Sequence, residues 1–461
     1  MPFPNRPDDS EHPLQDHPNE FPSDEYPPDE FNGDDPVSRR DFLRGGLGGL
    51  AGAAALTAGL AEPAALAAGP SGPGGPGGPG RPGGPHAPES VAAQLSGRRP
   101  ADVQSVGVEP GRVRLAFNEN PLGASPAAIE AVLRHQDWMN RYDYTTTLQQ
   151  AIIRHHGLDI PRPSGFDFKA TGDRHGVMLG VGTTELLQIL ALQALVKHGE
   201  VVEAHPSYGQ ITRVGDELRD AGHEVQAHKS PVLPDGNHDL QDISKRIGDR
   251  TGLVIICNPH NPTGVLLPHQ QILDFIDRVP PHVLVAIDEV YVHFVRDPGY
   301  RDFISVAKER ENVIVLRTFS KVYGLGGIRV GYAVAHRDVI YQLAPFSMGL
   351  LGRNVLSVHA AAAALGDEEH VRRSRQAVWD GNDYLTAELE RLGARVIPSH
   401  ACFLWADFGR ETQGIVRQLW SRRVMIRAGA GQWDSPNHIR VSTGSREENE
   451  AFVWALERTL G

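Results

Sequence analysis

Between Val177 and Val334 the chain alternates short apolar runs with longer stretches of helical character. The runs fall at Val177–Val181, Glu200–Glu203, Glu224–Ala227, Leu253–Cys257, Val283–Ile287, Val313–Leu316 and Arg329–Val334. Several hold almost no polar residue, which is the pattern of a strand covered on both faces by helices. Seven such strands alternating with helices predict an α/β domain built on a seven-stranded, mainly parallel sheet. In sheets of that kind ligands sit beyond the carboxyl ends of the strands. The residues that follow each run are therefore the first place to look for chemistry.

The first hundred residues lack this pattern. Residues 1–37 are acidic, proline-rich and poor in apolar side chains, and read as a disordered leader that cannot bury enough surface to fold alone. Residues 38–68 open with Ser38-Arg39-Arg40-Asp41-Phe42-Leu43-Arg44, then a Gly/Ala/Leu run from Gly45 to Leu60, then Ala65-Leu66-Ala67, which suits a signal peptidase. Paired arginines before a mildly apolar run resemble a twin-arginine export signal. The run is too weakly apolar for a good spanning helix. The expectation is export through the twin-arginine machinery to the periplasm or the exterior, with a cytoplasmic location as the alternative. Residues 69–100 begin with the repeat GPSGPGGPGGPGRPGGP, which lacks a sustained Gly-X-Y period and reads as a flexible linker. The folded part of the chain is expected from about residue 101.

Charge changes the picture little once it is located. The net charge is −12, but residues 1–37 carry eleven acidic side chains against one basic, Arg6, so the remainder is close to neutral. Without a basic field, neither nucleic acid nor an anionic membrane is an expected partner. Two cysteines cannot make a disulfide framework, and Cys257, ending an apolar run, reads as a small buried hydrophobe. The 21 histidines show no convincing metal spacing, so no metal is expected.

The strand ends hold unusual residues. Thr318-Phe319-Ser320-Lys321 follows one apolar run and precedes Gly324, Gly326, Gly327 and Arg329. A lysine there suits an amine that must reach a bound aldehyde and act, partly desolvated, as nucleophile and base. Thr318, Ser320 and Arg329 suit a phosphate, Arg329 as a bidentate fork. Val285-Ala286-Ile287-Asp288-Glu289-Val290-Tyr291 puts a carboxylate at another strand end, where a helix cap is the plain alternative. Asn258-Pro259-His260-Asn261-Pro262-Thr263-Gly264 forms a stiff loop after a third. Gly180-Val181-Gly182-Thr183-Thr184-Glu185 opens a helix whose N-terminus suits phosphate. His205-Pro206-Ser207-Tyr208 supplies a ring for stacking.

In this order the five stretches resemble the fold-type I, class I/II pyridoxal-phosphate-dependent aminotransferases, from about Arg114 to the C-terminus. The resemblance implies pyridoxal 5'-phosphate as cofactor, held covalently by Lys321. It implies Asp288 at the pyridine nitrogen and Asn261 and Tyr291 at the ring oxygen. Thr183, Thr184, Thr318, Ser320 and Arg329 would bind phosphate, with Tyr208 stacked on the ring. It further implies an N-terminal arm at 101–145, a large cofactor-binding domain at 146–345 and a smaller α/β C-terminal domain at 346–461. Within the family the likeness is to the histidinol-phosphate aminotransferase branch, through Leu115-Ala116-Phe117-Asn118-Glu119-Asn120-Pro121-Leu122-Gly123 and Ile439-Arg440-Val441-Ser442-Thr443-Gly444. There Arg440 would grip the substrate carboxylate, Arg427 would assist with an acidic group, and Asn118 would join the substrate-binding set. Tyr142 matches a tyrosine that reaches the neighbouring subunit's phosphate, so a homodimer with shared sites is implied. The chain departs from that branch at Leu122, Cys402 and Ala428.

The expected reaction moves an amino group between an amino acid, or an amino-acid-like amine, and a keto acid. The same opening steps serve oxidases, racemases, lyases and decarboxylases. An exported binding protein that kept the fold without the chemistry is the non-catalytic alternative. The presence of Lys321, Asp288, Asn261, Tyr291 and Arg329 together argues against it.

Overall fold

A computed structural model describes residues 98–161 and 169–461. The acidic leader, the twin-arginine segment and nearly all of the Gly/Pro linker lie outside the described residues. Contacts divide the chain into two units, Met1–Pro85 and His86–Gly461, and the described residues all belong to the second.

After a short strand β1 (Val113–Arg114) come the strands of the main sheet. They are β2 (Lys169–Thr171), β3 (His175–Gly180), β4 (Glu200–His205), β5 (Gln226–Pro231), β6 (Thr251–Cys257), β7 (Leu284–Asp288), β8 (Val313–Thr318) and β9 (Gly331–His336). Their spatial order is β2-β3-β9-β8-β7-β6-β4-β5. From β5 to β8 every pairing is parallel, whereas β9 runs against both its neighbours and β2 against β3. The sheet is thus mixed and mostly parallel. It has one strand more than the seven expected, because β2 has only three residues and no apolar run to announce it.

The apolar runs do what their pattern requires. All seven residues of β6 and all six of β8 are buried. Along β6, Val254 and Ile256 belong to one core, while Leu253 and Ile255 belong to the core on the other face. That is the alternation of a pleated strand between two helical layers. The helix Gly182–Lys197 is apolar over most of its surface, and Leu186, Leu187, Ile189 and Leu190 fill one of those cores. An uncapped, exposed strand with such a sequence would be an aggregation hazard; here the helices cover it.

The remaining strands are β10 (Arg395–Ile397), β11 (Phe403–Asp407), β12 (Val424–Met425), β13 (Arg427–Ala428) and β14 (His438–Ser442). An antiparallel sheet of order β10-β11-β14-β13 packs on its own core with the helix Arg446–Leu460, which starts with a Ser445/Glu448 capping box. The N-terminal arm joins this second region, since β1 pairs in parallel with β12. The helix Val355–Leu365 lies beyond residue 345, yet its Val358, Ala360, Ala361 and Ala364 belong to the core of the main sheet. Among the described residues no helix is long and apolar enough to cross a membrane.

Candidate active site

Register brings the predicted strand ends together. Cys257 pairs with Asp288, and Asp288 with Leu316, across β6, β7 and β8. On the other side Thr318 pairs with Gly331, and Gly331 with Gly180, across β8, β9 and β3. One row of strand ends therefore carries Asp288, Thr318 and the start of the Gly182–Lys197 helix, with Lys321 just beyond.

Asp288 is buried, and its Oδ1 has no hydrogen-bond partner among the described residues. Burial pushes its carboxyl up to about 7; Glu203 and Glu289 add to this, while the Val290 backbone and Lys321 oppose it. A buried acid with an open oxygen is poised to receive a donor or a cation. Lys321 is half-buried and its Nζ donates to the Phe117 carbonyl at 3.1 Å, with the Tyr291 ring 5.7 Å away. Burial holds its pKa below the usual lysine value, and the cations Arg440 and Arg329 act in the same direction.

Tyr291 is buried, and its hydroxyl oxygen accepts from Asn118 Nδ2 at 2.9 Å. Its own proton is left to donate. Asn118 is pinned in turn: its backbone N–H donates to Ser442 Oγ at 2.8 Å, and Ser442 Oγ donates to its Oδ1 at 3.0 Å. It sits in the left-handed region at φ 56°, which asparagine tolerates better than most residues.

Arg440, on β14, is buried, and its hydrogen-bond partners are neutral groups. Its Nη1 donates to Asn261 Oδ1 and its Nη2 to the Ala116 carbonyl, both at 2.7 Å, while Nε has no partner among the described residues. The rings of Trp433 and Phe403 lie 4.7 and 5.4 Å from its Cζ. Burial lowers its pKa to about 10, so it remains a cation at neutral pH, with no carboxylate in contact among the described residues. A buried charge without a counter-ion is costly and marks a place where an anion is expected.

At the other end, Thr183 and Thr184 begin the helix after β3, and Thr184 Oγ1 lies 3.3 Å from Tyr208 Oη. A side chain at Gly331 would stand 2.8 Å from the Thr183 backbone nitrogen, so glycine leaves that N-terminus open. Arg329 was expected to begin a strand. It instead occupies a left-handed turn at φ 54° before β9, with Nη1 donating to the Gly326 carbonyl at 2.9 Å and lying 3.4 Å from Ser320 Oγ. Thr318 Oγ1 accepts from the Ser320 N–H at 3.1 Å. From this turn the guanidinium lies against the helix N-terminus, where a side chain at Gly182 would collide with Arg329 Nη2.

Of the two remaining predicted residues, one stands apart and the other lies beside Arg440. Tyr142 is exposed at 64 % and makes no contact with this cluster among the described residues. Arg427 lies opposite Arg440 in the β13–β14 register, with its Nη2 donating to Gln432 Oε1 at 3.0 Å. Sequence reasoning missed Trp433 and Ser442, whose signal was only their place near two arginines. Cys402, noted as a departure, is buried with Sγ 3.6 Å from the Asn118 carbonyl, and burial pushes its thiol up to about 11. Cys257 is a buried thiol beside Asp288, raised by burial and by that carboxylate. Among the described residues no cluster of histidine, cysteine and acidic groups could hold a metal ion.

Comparison with known proteins bears on this cluster. The model of the aminotransferase class I and II family matches residues 110–456. A histidinol-phosphate aminotransferase from Moorella thermoacetica is 34% identical over 357 residues, covering 76% of this chain and 85% of the relative. The structure of histidinol-phosphate aminotransferase from Sinorhizobium meliloti in complex with pyridoxal-5'-phosphate matches with a TM-score of 0.66 at 24% identity, over 76% of this chain and 90% of that one. An L-threonine-O-3-phosphate decarboxylase from Porphyromonas gingivalis shares the fold at a TM-score of 0.59 and 23% identity, over 75% and 98% of the two chains. Fold alone therefore does not select the reaction.

Proposed function

This chain belongs to the class I and II aminotransferases, and we propose that Lys321, Asp288 and Arg440 carry its transamination of an amino acid with a keto acid. It is a pyridoxal-phosphate-dependent aminotransferase, similar to histidinol-phosphate aminotransferases. The observation that carries the assignment of roles is the pair of unmatched buried groups: an acid with an open oxygen and a cation with no anion.

The residues fit pyridoxal 5'-phosphate. The open Oδ1 of Asp288 suits a pyridine nitrogen, and the helix N-terminus at Thr183 and Thr184, with Thr318, Ser320 and Arg329, suits the phosphate. The Tyr208 hydroxyl, 3.3 Å from Thr184 Oγ1, supports a stacking role for its ring beside that phosphate seat. Bound there, the cofactor supplies an electron-withdrawing ring that stabilises negative charge on the substrate carbon. Asp288 keeps a proton on the ring nitrogen by ionising beside it. Tyr291, whose hydroxyl oxygen accepts from Asn118, would have its proton free to donate to the ring oxygen, and Asn261, whose Oδ1 accepts from Arg440, would have its NH2 free for the same oxygen. Lys321 anchors the cofactor, then takes the α-proton onto Nζ and returns it; its lowered pKa favours the neutral amine that this needs. Arg440 holds the carboxylate of amino acid and keto acid alike, and Arg427 serves a second acidic group.

The test is the visible spectrum of the purified protein. A yellow band lost in Lys321→Ala, bleached by an amino acid, restored by a keto acid and indifferent to oxygen is the expected result. Oxygen-dependent turnover would place the enzyme among oxidases and overturn the proposal.

We also propose a homodimer exported by the twin-arginine route. Ile129, Leu133, Trp138, Met139 and Tyr144 are exposed apolar side chains of the arm, on its helix Pro126–Arg134 and the segment after it that carries Tyr142. Such a patch favours burial against a second copy, with Tyr142 reaching the partner's phosphate. Light scattering at the mass of one chain would reject the dimer. Recovery of the intact chain only from the cytoplasm would reject export.

A further inference from the structure

The connection between β13 and β14, residues 429–437, is pinched at its base. Gly429 N–H donates to the His438 carbonyl at 2.7 Å, Ser435 N–H donates to the Gly429 carbonyl at 2.9 Å, and a side chain at Gly429 would collide with the Ser435 carbonyl. This folds Trp433 back beneath the sheet, 2 % exposed, edge-on to Trp405 at 5.4 Å. Three consecutive residues of the hairpin then meet the segment that ends β4 and carries Tyr208. Gln432 Nε2 donates to the Tyr208 carbonyl at 3.0 Å, Trp433 Nε1 to the Ser207 carbonyl at 2.8 Å, and His205 Nε2 lies 2.9 Å from Asp434 Oδ2.

The indole is the nearer of the two rings against the Arg440 guanidinium, at 4.7 Å against 5.4 Å for Phe403, and Arg427 lies 5.8 Å from the same indole. Arginine has four side-chain torsions, and the two bonds from Nη1 and Nη2 fix the ends of the fork without supporting its face. We propose that Trp433 is a positioning residue for substrate binding: anchored to the Ser207 carbonyl, it holds the Arg440 guanidinium in the plane that meets the substrate carboxylate. This rests on the reading of Arg440 as the carboxylate grip. It makes the hairpin a specificity element, since Trp433 reaches no carboxylate itself and acts only through the arginine.

The experiment compares holoenzyme of the wild type with Trp433→Leu, Trp433→Phe, Arg440→Gln and the Trp433→Leu/Arg440→Gln double variant. The probes are the twenty protein L-amino acids, followed by bleaching of the visible band, and succinate as an unreactive carboxylate, followed by calorimetry. Trp433→Leu is expected to weaken succinate and raise KM for the best amino acid about 30-fold, the effect of losing one desolvated cation–π contact, with kcat within about threefold. Its effect should vanish on the Arg440→Gln background. Trp433→Phe, which keeps a ring and loses the indole N–H, should fall between, and it decides the matter if Trp433→Leu does not fold. A loss in kcat with KM and succinate affinity unchanged, or additivity with Arg440→Gln, overturns the proposal. Succinate binding that is absent from the wild type, or untouched by Arg440→Gln, overturns instead the reading of Arg440.

Discussion

Two buried clusters of charge meet at the end of β7. In one, Glu289 accepts from Arg317 Nε at 3.1 Å, from the Tyr300 hydroxyl at 3.0 Å and from the Phe303 N–H at 3.1 Å. Arg317 also lies 2.9 Å from Asp302. Burial alone would lower the Arg317 pKa, but Glu289 and Asp302 outweigh it, and the guanidinium is held firmly charged. In the other cluster Asp288, one residue earlier, has an open oxygen, and Arg440 has only neutral partners among the described residues. Strand alternation sends the two neighbouring carboxylates to opposite sides of the sheet. The first cluster is closed and serves the fold. The second is open and leaves room for a ligand, so what separates structure from function here is the state of compensation, since burial and residue type are shared.

The comparison can be broken most severely at Lys321. Lys321→Ala should cut turnover by about 10⁴-fold or more, with the chemical denaturation midpoint unchanged, because a single hydrogen bond ties Nζ to the described residues. Arg317→Met strikes the closed cluster and should do the reverse. Removing one partner of a buried pair leaves Glu289 uncompensated, at about 3–5 kcal/mol of stability, read by urea unfolding. Any activity that survives in the folded fraction should have a normal KM.

Asp288→Asn keeps the shape of the open cluster and removes its charge. Its kcat should fall about 10²–10³-fold, while the cofactor-free protein becomes no less stable. The pH dependence sharpens the point. The Asp288 carboxyl is raised from 3.8 to about 7, so the cofactor-free folded protein binds a proton that the unfolded chain has released. Stability is then greatest below about pH 4 and lost as pH rises towards 7, by up to ~4 kcal/mol from this group. Asp288→Asn should flatten that decline, and so should cofactor binding, which brings a positive ring nitrogen to the open oxygen. A slope unchanged by the substitution would show that Asp288 is ionised already. The smallest effect is expected at Cys257, which touches Asp288 in the sheet but belongs to the packing. Cys257→Ala should cost about 1 kcal/mol and leave kcat/KM within about twofold.

Much of the site was legible because strand ends are local features. Apolar runs located β3 to β8, and a lysine, a carboxylate and an asparagine loop just beyond them were conspicuous where a folded sheet exposes its ligand edge. Other parts had no local signal. The hold of Asn118 on Tyr291 joins residues 173 positions apart. The turn at Arg329 was read as strand because apolar residues follow it directly. Nothing in the sequence singled out Trp433, and only the folded hairpin shows it against two arginines.

By itself the sequence determined the layered α/β architecture, the family and the row of residues at the strand ends, because burial periodicity and strand-end position are set by neighbours a few residues apart. The tertiary structure alone decided which buried charges are answered and which are left open. That depends on register, which set Asp288 beside Cys257, and on partners brought from distant segments, as Asn261 is to Arg440 and Asn118 to Tyr291. A charge in a low-dielectric interior is governed by what lies within a few ångströms, and sequence separation carries almost no information about that distance.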